Sequence, residues 1–229
     1  MATRLLLTDV TQAFSSRANF DVQITSMGGV DAVKKLQAGA CFDIVVLARD
    51  AIDILAASGH VVAGSDEDWV HSSVAIAMRE DAANVDVESE HSFREAVLAH
   101  RVGYSTGPSG TALLKLFERW GIQDQMRTQL TQAPAGVSVA HLVADGRVGI
   151  GIQQLSELKN VPGVRVLGLL PPGCEINSTF STAIGATTTR QREVQEFIRF
   201  MHSADAAEIV NRHGMSPVKQ HGVTKSGLS

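Results

Sequence analysis

Three features of the sequence predict an α/β fold. Short apolar runs closed by turn residues alternate with segments whose apolar residues recur at helical spacing. Glycines follow several of those helical segments, as helix stops do. Small polar turns at residues 8–11, 26–29, 104–110 and 153–154 fall where predicted strands end, which is where α/β sheets hold ligands. The alternation of strands and helices predicts largely parallel pairing.

The elements follow in chain order. Residues 5–7, three leucines, read as a short buried strand, and residues 10–16 as a helix. Residues 21–25 (Asp-Val-Gln-Ile-Thr) alternate like a strand. Val30, Val33 and Leu36 continue as a helix that stops at Gly39. Residues 42–47 are a buried strand, and residues 51–58 a helix closed by Gly59. Residues 74–78 are a strand, residues 81–92 an acidic surface connection, and residues 92–98 a helix. Residues 102–104 end a strand, and Leu113, Leu114, Leu116, Phe117 and Trp120 carry the next helix. A helix is expected over 138–145, a strand over 148–152 and a helical turn from Gln153. Strands over 164–169 and 180–186 precede two helices, 190–201 and 204–212, and residues 219–229 read as a frayed polar end.

The 229 residues allow one large domain or two small ones, with enough chain to bury a substantial core. The net charge of −4, without a basic run, disfavours nucleic acid as a partner. No apolar run reaches membrane-spanning length. Cys41 and Cys174 lie far apart, and no His pair has zinc-ligand spacing, so neither a metal nor a cofactor is expected. The N-terminal stretch is too short for a secretory signal. That predicts a cytoplasmic protein, or a periplasmic one if a signal was removed.

The stretch Val102-Gly-Tyr-Ser-Thr-Gly-Pro-Ser-Gly110 carries the chemistry. A strand ends in hydroxyls and glycines that open a helix. Backbone N–H groups at a helix start lack intrahelical partners and the helix dipole makes that end positive, so the loop suits an anion. It has neither P-loop nor dinucleotide spacing. The alternative is that Ser109 or Thr111 simply caps the helix.

With these stretches in view, the chain resembles the type II periplasmic solute-binding proteins, most closely the molybdate-binding branch. The resemblance rests on Gln37-Ala-Gly39 with residues 42–46, on Gly103 to Gly110 with its helix, on Val148-Gly-Ile-Gly-Ile-Gln-Gln-Leu-Ser-Glu157, and on the closing segment Phe197-Ile-Arg-Phe-Met201. It implies two α/β lobes with a ligand cleft between them, residues 1–78 and 183–229 forming lobe 1 and 79–182 lobe 2. The ligand contacts it implies fall at Thr8 beside Asp9, at Ser26, Met27 and Gly28, at Tyr104, Ser105, Thr106, Ser109 and Gly110, and at Gln153 and Gln154. It also implies a transporter partner if the protein is exported.

The chain departs from the molybdate pattern at three places, one being the family's late tyrosine contact, which Ile152 or Gln153 replaces here. Asp9 would repel a dianion, and Arg79, expected at the crossover between lobes, suits a carboxylate through paired hydrogen bonds. The expectation is therefore a binding protein for a small anion, a carboxylate in preference to molybdate. Aconitate isomerase is similar to the same branch, which keeps open a cofactor-independent isomerase of unsaturated polycarboxylates. In that case Asp9 or Tyr104 would be the acid/base group.

Overall fold

A computed structural model describes residues 2–134 and 136–218. The expected frayed end, residues 219–229, lies outside them. The chain opens on helix α1 (Arg4–Ser15) where a strand was expected. Leu6, Val10 and Phe14 are buried four residues apart while Leu5 is 59% exposed. The three leucines are too few to show a period of their own, and they belong to the helical period of Val10 and Phe14.

Residues 21–25 form no strand. Their alternation is real, but no described strand pairs with them and Ile24 is 40% exposed. An alternating segment becomes a strand only when a neighbour supplies its hydrogen bonds. Helix α2 (Gly29–Gln37), strand β1 (Ile44–Ala48) and helix α3 (Arg49–Ala57) follow as expected. Gly39 and Gly59, at φ 91° and 72°, close the two helices in the left-handed region that glycine tolerates.

Strand β2 (Glu67–Arg79) is the spine of the molecule. After it come α4 (Glu90–Ala99), β3 (Val102–Tyr104), α5 (Pro108–Arg119), α6 (Gln123–Met126), β4 (Leu130–Gln132) and α7 (Val139–Ala144). Next come β5 (Ile150–Gln154), the single turn α8 (Leu155–Leu158), β6 (Val164–Leu169) and β7 (Asn177–Ile184). Helices α9 (Gln191–Met201) and α10 (Ala204–Arg212) and strand β8 (Met215–Pro217) complete the described chain. Strand β5 includes Gln153 and Gln154, which were expected to start the helical turn.

The first part of β2, to Ser73, pairs with β7 and β8, and β7 in turn pairs with β1. From Val74 onward β2 pairs with β5 and β6, and β3 joins β5 to β4. The two sheets thus meet on β2 between Ser73 and Val74, and again where Asn177 of β7 faces Ser73. Both places lie short of the crossings expected at residues 78–79 and 182–183, because one long strand serves both sheets. For the same reason the pairing is mainly antiparallel, not parallel. Strand β2 runs against all four of its neighbours, while β3 is parallel to β4 and β5.

Each sheet has its own core. Trp69, Val70, Phe197, Met201, Ile209 and Val210 gather around α1 on the first sheet. Ile76, Phe93, Val97, Leu113, Phe117 and Ile150 gather on the second. Two cores joined by a shared strand make a two-lobed protein. Among the described residues no helix is long and apolar enough to cross a membrane.

Candidate functional site

The carboxyl ends of the parallel strands β3 and β5 lie side by side, with Tyr104 opposite Ile152. Beyond them run the loop 105–107 and the first turn of α5. Gly107 is the N-cap, Pro108 occupies the first turn, and no side chain caps the helix. The capping alternative for Ser109 therefore does not hold, since its hydroxyl is used elsewhere. Ser109 Oγ donates to Oε1 of Gln154 at 3.0 Å and lies 2.9 Å from Ser105 Oγ. The Gln154 amide nitrogen reaches Ser178 Oγ on β7 at 3.5 Å. Ser109 and Gln154 are 3% and 5% exposed. A chain of hydroxyls and one amide thus runs from the loop to the strand that returns to the first lobe.

Gly110 lets the loop fold this way. A Cβ there would lie 1.9 Å from the carbonyl oxygen of Ser105. No side chain fits at that distance, so the loop closes over the helix start only with glycine. Thr106 is exposed at the loop tip. Tyr104 is half-buried against the core of the second lobe.

Gln153 and Gln154 are neighbours in sequence but point to opposite faces of β5, as strand alternation requires. Gln153 Oε1 accepts from the Val139 N–H at 2.7 Å and from Ser138 Oγ at 3.1 Å, and its amide nitrogen donates to Glu157. It therefore serves the start of α7. Burial pushes the Glu157 carboxyl above the usual carboxylate range. Glu157 and Ser138 were not picked out from sequence. Glu157 stands four residues after Gln153, across the boundary between β5 and α8, which is a signal the sequence does contain.

In the first lobe, Thr8 and Asp9 sit mid-helix and exposed. Thr8 Oγ1 donates to the Arg4 carbonyl at 3.1 Å, and Asp9 Oδ2 accepts from His213 Nε2 at 2.8 Å. The helix expected to start at Val10 starts instead after Thr3, the uncapped N-cap of α1, with Arg4 in its first turn. Ser156 Oγ donates to the Ala2 carbonyl at 3.3 Å, so this helix start lies against the end of β5 and α8. Ser26 is exposed, and Met27 and Gly28 are half-buried ahead of α2, whose N-cap Gly28 likewise has no side-chain cap. Helices α4, α7 and α10, by contrast, are capped by Ser89, Ser138 and Ser203.

Arg79 is not brought to this place. Val74, not Arg79, lies opposite Gln154 on β2. Arg79 is five residues further on, about 17 Å along the strand at the usual rise. Its guanidinium forms a bidentate pair with Asp81, with Nε 2.8 Å from Oδ1, and this pairing raises its pKa and lowers that of Asp81. Among the described residues no group of three or more His, Cys, Asp or Glu side chains could hold a metal ion.

Comparison with known proteins agrees with this architecture. The chain is 32% identical over 178 residues to an aconitate isomerase from a Pseudomonas species, an alignment covering 77% of this chain and 68% of that protein. Its fold matches the periplasmic molybdate-binding protein of Azotobacter vinelandii with a TM-score of 0.80, at 16% identity, over 95% of this chain and 96% of the other. It also matches PEB3 bound to L-phospholactate with a TM-score of 0.70, at 14% identity, over 94% and 96% of the two chains. At those identities the structural matches establish the two-lobed type II fold alone. Residues 1–216 match the bacterial extracellular solute-binding proteins, and the chain belongs to that family.

Proposed function

We propose that this protein binds a small carboxylate between its lobes, outside the cytoplasm, and hands it to a membrane transporter. The Ser105–Ser109–Gln154 chain at the uncapped start of α5 carries this reading. Hydroxyls and helix N–H dipoles there receive one carboxylate, with Thr106 and the backbone of Gly110. The opposing contacts come from the starts of α1 and α2: Thr3, Arg4, Ser26, Met27 and Gly28. Arg4 supports an anionic ligand. A cation in the first turn of a helix opposes the dipole, and an anion shared between the two relieves that opposition. The likeness to an aconitate isomerase points to the same ligand class.

The test is thermal unfolding with trans-aconitate, cis-aconitate and molybdate, each at a range of concentrations. A ligand at 100 times its Kd stabilises by about 2.7 kcal/mol. Stabilisation by either aconitate but not by molybdate is the expected outcome. Stabilisation by molybdate alone would overturn the carboxylate reading.

One observation favours a second reading, an isomerase of unsaturated polycarboxylates: the 32% identity to an aconitate isomerase. In that reaction a base takes a proton from the methylene carbon. The double bond moves toward that carbon, and a proton returns at the far end of the allyl system. No cofactor takes part. Tyr104, Asp9 and the half-buried acid Glu157 are the groups proposed for proton transfer. Asp9 is the weakest of the three, being engaged by His213. Proton NMR of trans-aconitate in deuterated water decides. Cis-aconitate carrying deuterium, absent from a boiled control, makes the protein an isomerase, while unchanged trans-aconitate leaves binding alone.

A further inference from the structure

Gln153 and Gln154 differ in one respect that bears on specificity. Two of the three partners of Gln153 are one-way. A backbone N–H can only donate to its oxygen, and the Glu157 carboxylate can only accept from its nitrogen. Its amide is fixed in one orientation. The partners of Gln154 are hydroxyls on both sides, Ser109 and Ser178, and a hydroxyl can donate or accept. Its amide can turn over with both contacts kept.

The two orientations give the loop opposite characters. With Oε1 toward Ser109, the Ser109 proton is spent on Gln154. Ser109 can then only accept from Ser105, so the Ser105 proton is spent as well. The hydroxyl pair then presents lone pairs to the loop, which repel an anion. With Nε2 toward Ser109, Gln154 donates, and the Ser109 proton is free to be given to a carboxylate directly or through Ser105. Ser178 then donates to Oε1. The present Nε2–Ser178 contact is long at 3.5 Å, so little is lost by reversing it. Ser72 faces Ser178 in the strand register and is fully buried, with a hydroxyl that has no hydrogen-bond partner among the described residues. That hydroxyl is a neighbour of adaptable sense for Ser178 in either state.

We propose that Gln154 is a positioning residue whose amide turns over on anion binding, converting the Ser105–Ser109 pair from acceptors to donors. Gln154 does not itself touch the ligand. This inference rests on the carboxylate reading of the loop. It assigns the choice between anionic and neutral ligands to a group behind the site.

The test compares Q154E and Q154M by calorimetric titration with trans-aconitate, wild type alongside at every pH. At neutral pH the carboxylate of Q154E can only accept, so it holds the hydroxyl protons away from the ligand. Affinity is expected to fall roughly 10- to 100-fold, the range for losing a hydrogen bond to a charged group. As pH falls and that carboxylate takes up a proton, it becomes a donor, and the deficit relative to wild type closes. Q154M offers only a weakly accepting thioether and leaves the Ser109 proton largely free, so its loss is at least about tenfold smaller than that of Q154E at neutral pH. In wild type, the Gln154 side-chain amide resonances shift on titration. Equal losses in both variants, or a Q154E deficit that does not change with pH, would overturn the switch while leaving the carboxylate site standing. Wild type that fails to bind trans-aconitate at all overturns the carboxylate reading and the switch together.

Discussion

Ser109 of α5 and Gln154 of β5, 45 residues apart in sequence, share a buried hydrogen bond of 3.0 Å. It fastens the start of a helix to the end of a strand, beside the place where β2 passes from one sheet to the other. The strand partner of Gln154 on β2 is Val74, the residue at which that strand changes sheets. One contact therefore touches both the proposed ligand loop and the junction between lobes.

Replacing Ser109 by alanine leaves the buried Oε1 of Gln154 without its donor. An orphaned buried polar group costs about 1–3 kcal/mol. Urea denaturation of the ligand-free S109A protein should show a loss in that range, and titration with trans-aconitate should show weaker binding as well. Stability lost with affinity kept would confine Ser109 to a structural role.

Gly110→Ala is expected to do more damage than its position in the first turn of a helix suggests. The new Cβ would meet the Ser105 carbonyl oxygen at 1.9 Å, and a backbone atom cannot step aside as a side chain can. Either the loop opens or the helix start unwinds. The expected cost is about 3 kcal/mol, at the upper end of overpacking effects, together with loss of trans-aconitate binding. A variant that melts and binds like wild type would show that the loop does not close over α5.

Arg79→Ala should leave carboxylate affinity within about twofold, because the strand carries Arg79 away from Val74 and Gln154 and Asp81 already engages its guanidinium. The sequence alone supports the opposite expectation, since an arginine placed at the crossover would clamp a carboxylate. A large loss of affinity in R79A would return Arg79 to the site.

The contrast shows what could be read from the residues and what could not. Helix α5 and strand β1 were legible because each carries a strong period or a pure apolar run. The length of β2 was not, because its first seven residues, Glu-Asp-Trp-Val-His-Ser-Ser, are mostly polar. Their strand character comes from pairing with β7 and β8 rather than from their own pattern. Misplacing the start of β2 moved the crossover, and with it Arg79. The polar loop 105–110 was recognised from its hydroxyls and glycines. Its anchor was not, because two adjacent glutamines take opposite roles only once β5 is known to run to Gln154. Likewise the start of α1 was hidden by a leucine triplet that reads equally as strand or helix.

Glu157 supplies a pH signature. Burial raises its pKa in the folded protein above the ordinary carboxylate value. Between the unfolded and the folded pKa the native state holds more protons than the unfolded state, so stability falls as pH rises through that window. The favourable contribution is fully present below the unfolded pKa and is gone above the folded one, where a charged carboxylate must stay buried. Glu157→Gln removes that charge, while its amide oxygen can still accept from Gln153. The variant should therefore gain stability over wild type at pH 8, and the gain should shrink toward pH 4. Paired urea titrations at the two pH values measure it. A pH-independent difference would mean that Glu157 titrates alike in the folded and unfolded chains. Should trans-aconitate prove to be isomerised, the same variant gains a second use. A turnover profile that loses its dependence on a raised carboxyl pKa in E157Q would identify Glu157 as the proton-transfer group.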